Sequence, residues 1–125
     1  VFTIINNIKI SKNFYLSEFE CKDGNHQVVI DSELIDKLQK LRDYLGQAIV
    51  INSSYRNESH NKSVGGSPNS QHLKGKAVDI RRIEGLTIDE MVAIAEDAGF
   101  NGIGKYNWGI HIDVRENKAR WDMRG

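Results

Sequence analysis

The order of segments along this 125-residue chain predicts an α+β domain, a small and mostly antiparallel sheet with flanking helices. Three observations carry that expectation. Two stretches have capped ends and apolar residues at helical spacing, several short apolar runs read as strands, and one long polar loop interrupts them. No internal repeat, linker or low-complexity tract divides the chain. Residues 1–125 are therefore expected to form a single domain, large enough to bury a core without disulfides.

Residues 1–10, VFTIINNIKI, alternate weakly and are rich in β-branched side chains, which predicts an extended arm or edge strand. The large apolar side chains of Phe14-Tyr-Leu-Ser-Glu-Phe pack onto the main body. Asp31 or Ser32 caps a helix running to about Leu45, with Leu34, Ile35, Leu38, Leu41 and Leu45 on one face and Gly46 as the stop. Ala48-Ile-Val-Ile-Asn-Ser reads as a buried strand. From Tyr55 to Gln71 apolar content is low, and Gly65-Gly66-Ser67-Pro68-Asn69 is a cluster of turn formers, so the segment is expected to be a loop.

Lys76 to Arg81 then reads as a strand, with Ala77, Asp79 and Arg81 on one face and Val78 and Ile80 on the other. Thr87 and Glu90 form a capping box for a second helix, Leu86 and Met91 sit at staple positions, and Gly99 ends it. Ile88, Met91, Val92, Ile94 and Ala95 supply its buried side. Asn101 to Lys105 is a short strand, Tyr106-Asn-Trp a turn, and Gly109 to Arg115 the last strand. Trp121 anchors the tail.

Lys plus Arg and Asp plus Glu both total 17, and this balance, with no basic stripe, argues against a nucleic-acid partner. No apolar run approaches the roughly 18 residues that span a bilayer, and no signal-peptide pattern opens the chain. The first residue is Val1 instead of Met, a start compatible with processing or excision downstream of an export signal. The single cysteine, Cys21, excludes an intramolecular disulfide framework and reads as a half-buried small hydrophobe. His26, the one histidine near it in sequence, falls in a surface turn, so a cysteine nucleophile has no evident base.

The chemistry-bearing residues gather around the polar loop. His72 and Asp79 stand seven residues apart in Ser70-Gln-His-Leu-Lys-Gly-Lys-Ala-Val-Asp, and His111 arrives in a later apolar run. Two imidazoles and a carboxylate from separated segments form a catalytic zinc set with a fourth position left for water. If strands 76–81 and 109–115 pair antiparallel, Asp79 and His111 meet on one face, and His72 has only to fold over it, helped by a turn at Gly75. Spacing alone leaves a structural role for these histidines open.

The pattern Ser54-Tyr-Arg, then Ser70-Gln-His-Leu-Lys-Gly-Lys-Ala-Val-Asp, then His111-Ile-Asp-Val-Arg resembles the zinc D-alanyl-D-alanine carboxypeptidase family. That family includes wall-trimming carboxypeptidases and phage endolysins that cut L-alanyl-D-glutamate bonds, and it shares its fold with the signalling domain of hedgehog proteins. The likeness extends to Ser17-Glu-Phe, Leu38-Gln-Lys-Leu-Arg and His60-Asn, nearly the whole chain. It implies a hedgehog/DD-peptidase-like fold and Zn2+ at His72, Asp79 and His111, where the ion would activate water and polarise a carbonyl. It further implies an oxyanion-holding role for Arg56, sixteen residues before His72, which otherwise reads as a surface arginine.

One departure concerns the general base. Many relatives carry an acid three residues before the last histidine ligand, where this chain has Trp108. Asp113 is the substitute on the face of His111, and its other reading is a carboxylate that orients a ligand or pairs with Arg115. His60 is a weaker candidate base and reads otherwise as solvent-facing or loop-stabilising. Tyr55, Ser70 and Gln71 are candidates for hydrogen bonds to a peptide carboxylate or amide, and Ser70 equally suits a cap. Tyr106, Trp108 and Trp121 suit either an aromatic wall or ordinary packing.

The expectation is a monomeric zinc metallopeptidase acting on the stem peptide of bacterial peptidoglycan. It would work at the cell wall or outside the cell, or be phage-encoded and cytoplasmic before release. A zinc-binding module without catalysis, which Trp108 would explain, and a metal-free binding domain are the rival readings.

Overall fold

The computed structural model of the chain describes residues 5–125. Its main sheet has five strands: β3 (Ile51–Ser53), β4 (Ala77–Arg81), β5 (Gly102–Lys105), β6 (Gly109–Asp113) and β7 (Ala119–Asp122), in the order β3-β4-β6-β5-β7. All neighbours run antiparallel except β5 and β7, which are parallel. The expected α+β architecture is therefore present. A separate two-stranded ribbon joins β1 (Lys9–Ser11) to β2 (Phe14–Tyr15), so Lys9–Ser11 is no edge of the main sheet, and residues 1–4 lie outside the description.

Helix α1 (Ser32–Leu45) starts where Asp31 accepts from the Glu33 amide and ends at left-handed Gly46. It buries Leu34, Ile35, Leu38 and Leu41, while Leu45 packs at the margin. Helix α3 (Ile88–Ala98) carries the Thr87–Glu90 capping box in both directions and stops at Gly99. Its buried side is Ile88, Met91, Val92, Ala95 and Ala98, with Ile94 only partly covered. Lys37 on α1 donates to the Gly99 carbonyl at 3.0 Å, capping α3 and joining the two helices.

The sheet's two faces differ in kind, as the two-residue period of a strand requires. Val78, Ile80, Ile103, Ile110 and Ile112 enter the core with α1 and α3. Phe14 and Phe19 join the same cluster in edge-to-face contact, so the residues after β1 do pack on the main body. The opposite face carries Asp79, His111 and Asp113. Ala77 to Ile80 are all buried, because the segment between β3 and β4 covers that second face.

Four local expectations need correction. Residues 48–50 are irregular, and β3 begins at Ile51. The stretch read as a loop contains a helix, α2 (Glu58–Ser63), capped by Asn57; its sequence Glu-Ser-His-Asn-Lys-Ser has no apolar stripe to announce it. Trp121 lies in strand β7 and does more than anchor a tail. Cys21 is 3 % exposed, fully inside instead of half-buried. Among the described residues no helix is long and apolar enough to cross a membrane.

Leu38 sits at the centre of the α1 face with no exposed surface. Leu38→Ala is expected to cost about 2–5 kcal/mol, seen as a lower urea midpoint with an unchanged slope.

Candidate metal centre and cleft

The β4–β6 register places Asp79 directly opposite His111. On the far side of β6, Gly102 of β5 faces Asp113 and Gly104 faces His111. These two glycines clear the ground for the site. A Cβ at 102 would lie 2.1 Å from the Asp113 carboxylate, and one at 104 would lie 2.2 Å from the Trp121 indole nitrogen. His72 comes from a short 3-10 turn (Gln71–Lys74) whose first amides are met by Ser70, the side-chain oxygen accepting from His72 N at 3.2 Å. Gly75, left-handed at φ +68°, then turns the chain into β4.

The hydrogen bonds fix which ring nitrogen of each histidine is free. His72 Nδ1 lies 2.7 Å from the Ser54 carbonyl, which can only accept, so Nδ1 carries the proton and Nε2 keeps its lone pair. His111 Nε2 donates to Asp113 Oδ2 at 2.7 Å, leaving Nδ1 free. Both free nitrogens point at Asp79 Oδ1, at 3.1 and 2.9 Å. Three lone-pair donors thus converge, all within 4.8 Å of one another. In the metal-free protein hydrogen bonds to Asp79 join these atoms, and a divalent cation competes with the protons for the same lone pairs. Two imidazole nitrogens and one carboxylate oxygen form the donor set zinc takes, and each histidine has the outer hydrogen-bond partner that such ligands need.

Charge follows the same geometry. Burial, the largest influence on Asp79, favours its neutral form, but hydrogen bonds from His111 and His72 outweigh it and hold the carboxyl well below 3.8. For His111 burial works downward, and hydrogen bonds to Asp113 and Asp79 outweigh it to raise the imidazole above 6.5. Asp113, also resisted by burial, is kept ionised by His111 and Arg115. Arg115 forks onto it, with Nε at 2.9 and 3.1 Å from the two oxygens and Nη2 at 2.7 Å from Oδ2.

The centre opens into a cleft of about 640 Å3. Arg56, Ser70 and Gln71 lie on its wall, as the sequence suggested. Arg56 reaches Asp79 Oδ2 at 3.4 Å while donating to Ser53 Oγ at 3.2 Å and Asn61 Oδ1 at 3.3 Å. Tyr106 and Trp108 stack at 4.9 Å, and Trp121 donates to the Tyr106 hydroxyl, so these aromatics do form one wall.

Tyr55, His60 and Asp113 are not on the cleft wall. Tyr55 N–H donates to the Phe19 carbonyl, and the carboxylate of Asp113 is wholly buried beneath His111. Of the described residues lining the cleft, Asp79 alone carries a carboxylate. Sequence reasoning gave no role to Asn61, which is buried and braces Arg56, and overlooked the Gly102-x-Gly104 pair, whose missing side chains were a legible signal.

These shifts set opposite pH limits on the metal-free protein. The raised His111 contributes stability that is full below about pH 6.5 and lost as pH rises through its folded value. The lowered Asp79 and Asp113 contribute stability present above about 3.8 and lost as pH falls. Thermal unfolding of chelator-treated protein is expected to show greatest stability between these limits. The added stability from zinc should grow as pH rises from about 5 to 8, since metal and protons compete for the same ligands.

Comparison with known proteins accords with this geometry. No curated protein matches the chain. The family model for peptidase M15 matches residues 12–114, which take in the three helices, most of the cleft wall and all three candidate ligands. The chain belongs to the peptidase M15 family and is a zinc-dependent metallopeptidase.

Proposed function

We propose that this peptidase cleaves the stem peptide of bacterial peptidoglycan, as a D-Ala-D-Ala carboxypeptidase or an L-Ala-D-Glu endopeptidase. The observation that supports the reading is the open cleft in which Arg56 stands beside Asp79, next to the three converging ligand atoms. His72, Asp79 and His111 would hold the zinc, which would supply an activated water near neutral pH and a Lewis acid for the scissile carbonyl.

The chain's own residues do the rest. Arg56 is held on three sides by Ser53, Asn61 and Asp79, so its guanidinium is preorganised to take the charge that develops on the carbonyl oxygen. Ser70 and Gln71 offer polar groups to the peptide backbone, although Ser70 Oγ already accepts from His72 N. Tyr55, away from the wall, has no part in this reading. Asp113 acts as the acceptor that orients His111 instead of as the base, because both its oxygens are engaged and none faces the cleft. The protein works as a monomer at the cell wall, reached by export or, for a phage-encoded chain, after synthesis in the cytoplasm.

Mass spectrometry of muropeptides, after incubating peptidoglycan with zinc-loaded protein, tests the reading. New products that vanish with a chelator are expected, and their masses name the bond; none from several wall types would overturn it. Arg56→Ala should lower the rate by about 10²–10³ with zinc retained. Asp113→Asn should weaken zinc binding about 10–100-fold, with activity restored by excess zinc. A base would give a loss that zinc cannot repair.

A further inference from the structure

Resting on the proposed substrate class, we infer that Arg115 is the receptor for a substrate carboxylate. The two arginines on the cleft wall differ in what they have left to give. Arg56 has a protein oxygen on each of its three nitrogens and keeps one N–H on each terminal nitrogen, which the oxyanion role takes up. Arg115 spends only its Nε and Nη2 on Asp113, and among the described residues Nη1 has no hydrogen-bond partner. Its side chain is 29 % exposed on the cleft wall and lies over the Trp121 ring at 5.2 Å. One edge of the guanidinium is thus fixed by a buried carboxylate, the plane is held by an indole, and the other edge is unspent on a residue that lines the cleft.

Position gives this free edge its meaning. Asp113 links Arg115 to His111 through two hydrogen bonds of 2.7 Å, so one carboxylate and one imidazole separate the receptor from the candidate metal ligand atom. In both candidate bonds the residue that supplies the leaving amine carries a free carboxylate on the carbon next to that nitrogen. In one it is the terminal D-alanine. In the other it is D-glutamate, joined onward through its side-chain carboxyl. A single cation beside the metal centre serves either. Among the described residues Asp79 is the only carboxylate on the wall, and no other repels such an anion. Asp113 already offsets part of the arginine's charge, which places the expected gain near the lower end for a charged hydrogen bond, about tenfold.

Calorimetry on the zinc-loaded protein tests this with two pairs of soluble stem peptides, one ending in D-alanine and one carrying D-glutamate, each with that carboxylate free or amidated. Wild type should bind the acid of at least one pair about tenfold more tightly than its amide, and R115Q should bind both alike at the level of the wild-type amide. R115M, which keeps the packing on Trp121, is the second variant with the same expectation. Equal binding of acid and amide by wild type in both pairs, or a preference that survives in folded, zinc-loaded R115Q or R115M, overturns the inference. Cleavage is followed in the same samples. Discrimination without cleavage leaves Arg115 as the receptor while the proposed peptidase specificity falls; cleavage without discrimination does the reverse.

Discussion

The antiparallel pairing of β4 with β6, with Asp79 opposite His111, is the constraint on which the site depends. A slip of one residue would turn both side chains into the core and expose Val78 and Ile112 in their place. The apolar face therefore guards the register of the polar one. Burial of Val78, Ile80, Ile110 and Ile112 against α1 and α3 holds the two candidate ligands across from each other.

Such an arrangement puts two imidazoles and two carboxylates where water scarcely reaches, and the structure meets that cost by complete hydrogen bonding. No buried side-chain nitrogen or oxygen among the described residues is left without a partner. Outer groups do most of the work: the Ser54 carbonyl for His72, Asp113 for His111, Arg115 for Asp113, and Asn61 with Ser53 for Arg56. Each fixes an orientation or a proton, so the three ligand atoms present lone pairs to one point. Asp113 belongs to this supporting layer because Gly102 leaves its carboxylate room behind His111.

The cleft's character follows from β5 as much as from the ligands. Gly104 lets Trp121 of β7 lie on the sheet, where its ring meets His111 at 5.0 Å and carries Arg115 above it. Tyr106 and Trp108 continue that wall from the β5–β6 turn. Apart from the candidate ligand Asp79, no described residue on the cleft wall carries an acid. In the proposed mechanism catalysis leans on the candidate zinc set and Arg56.

Much was legible because it is local. Caps, stops and apolar stripes marked α1 and α3, strand alternation put Asp79 on the face away from Val78 and Ile80, and the His-x6-Asp spacing with a distant histidine marked the zinc set. Other features were invisible to any window of sequence. Helix α2 has no apolar stripe, so its cap and its packing decide it. Strand β7 pairs in parallel with a strand fourteen or more residues away. Whether Asp113 faced the cleft or the space behind His111 depended on what stood across from it. The chain fixed two-residue alternation, but only the opposing Gly102 and the fork of Arg115 settled the carboxylate's place. Sequence by itself determined which residues share a face. Tertiary structure decided which of them solvent and substrate can reach, because exposure is a property of neighbours that periodicity does not encode.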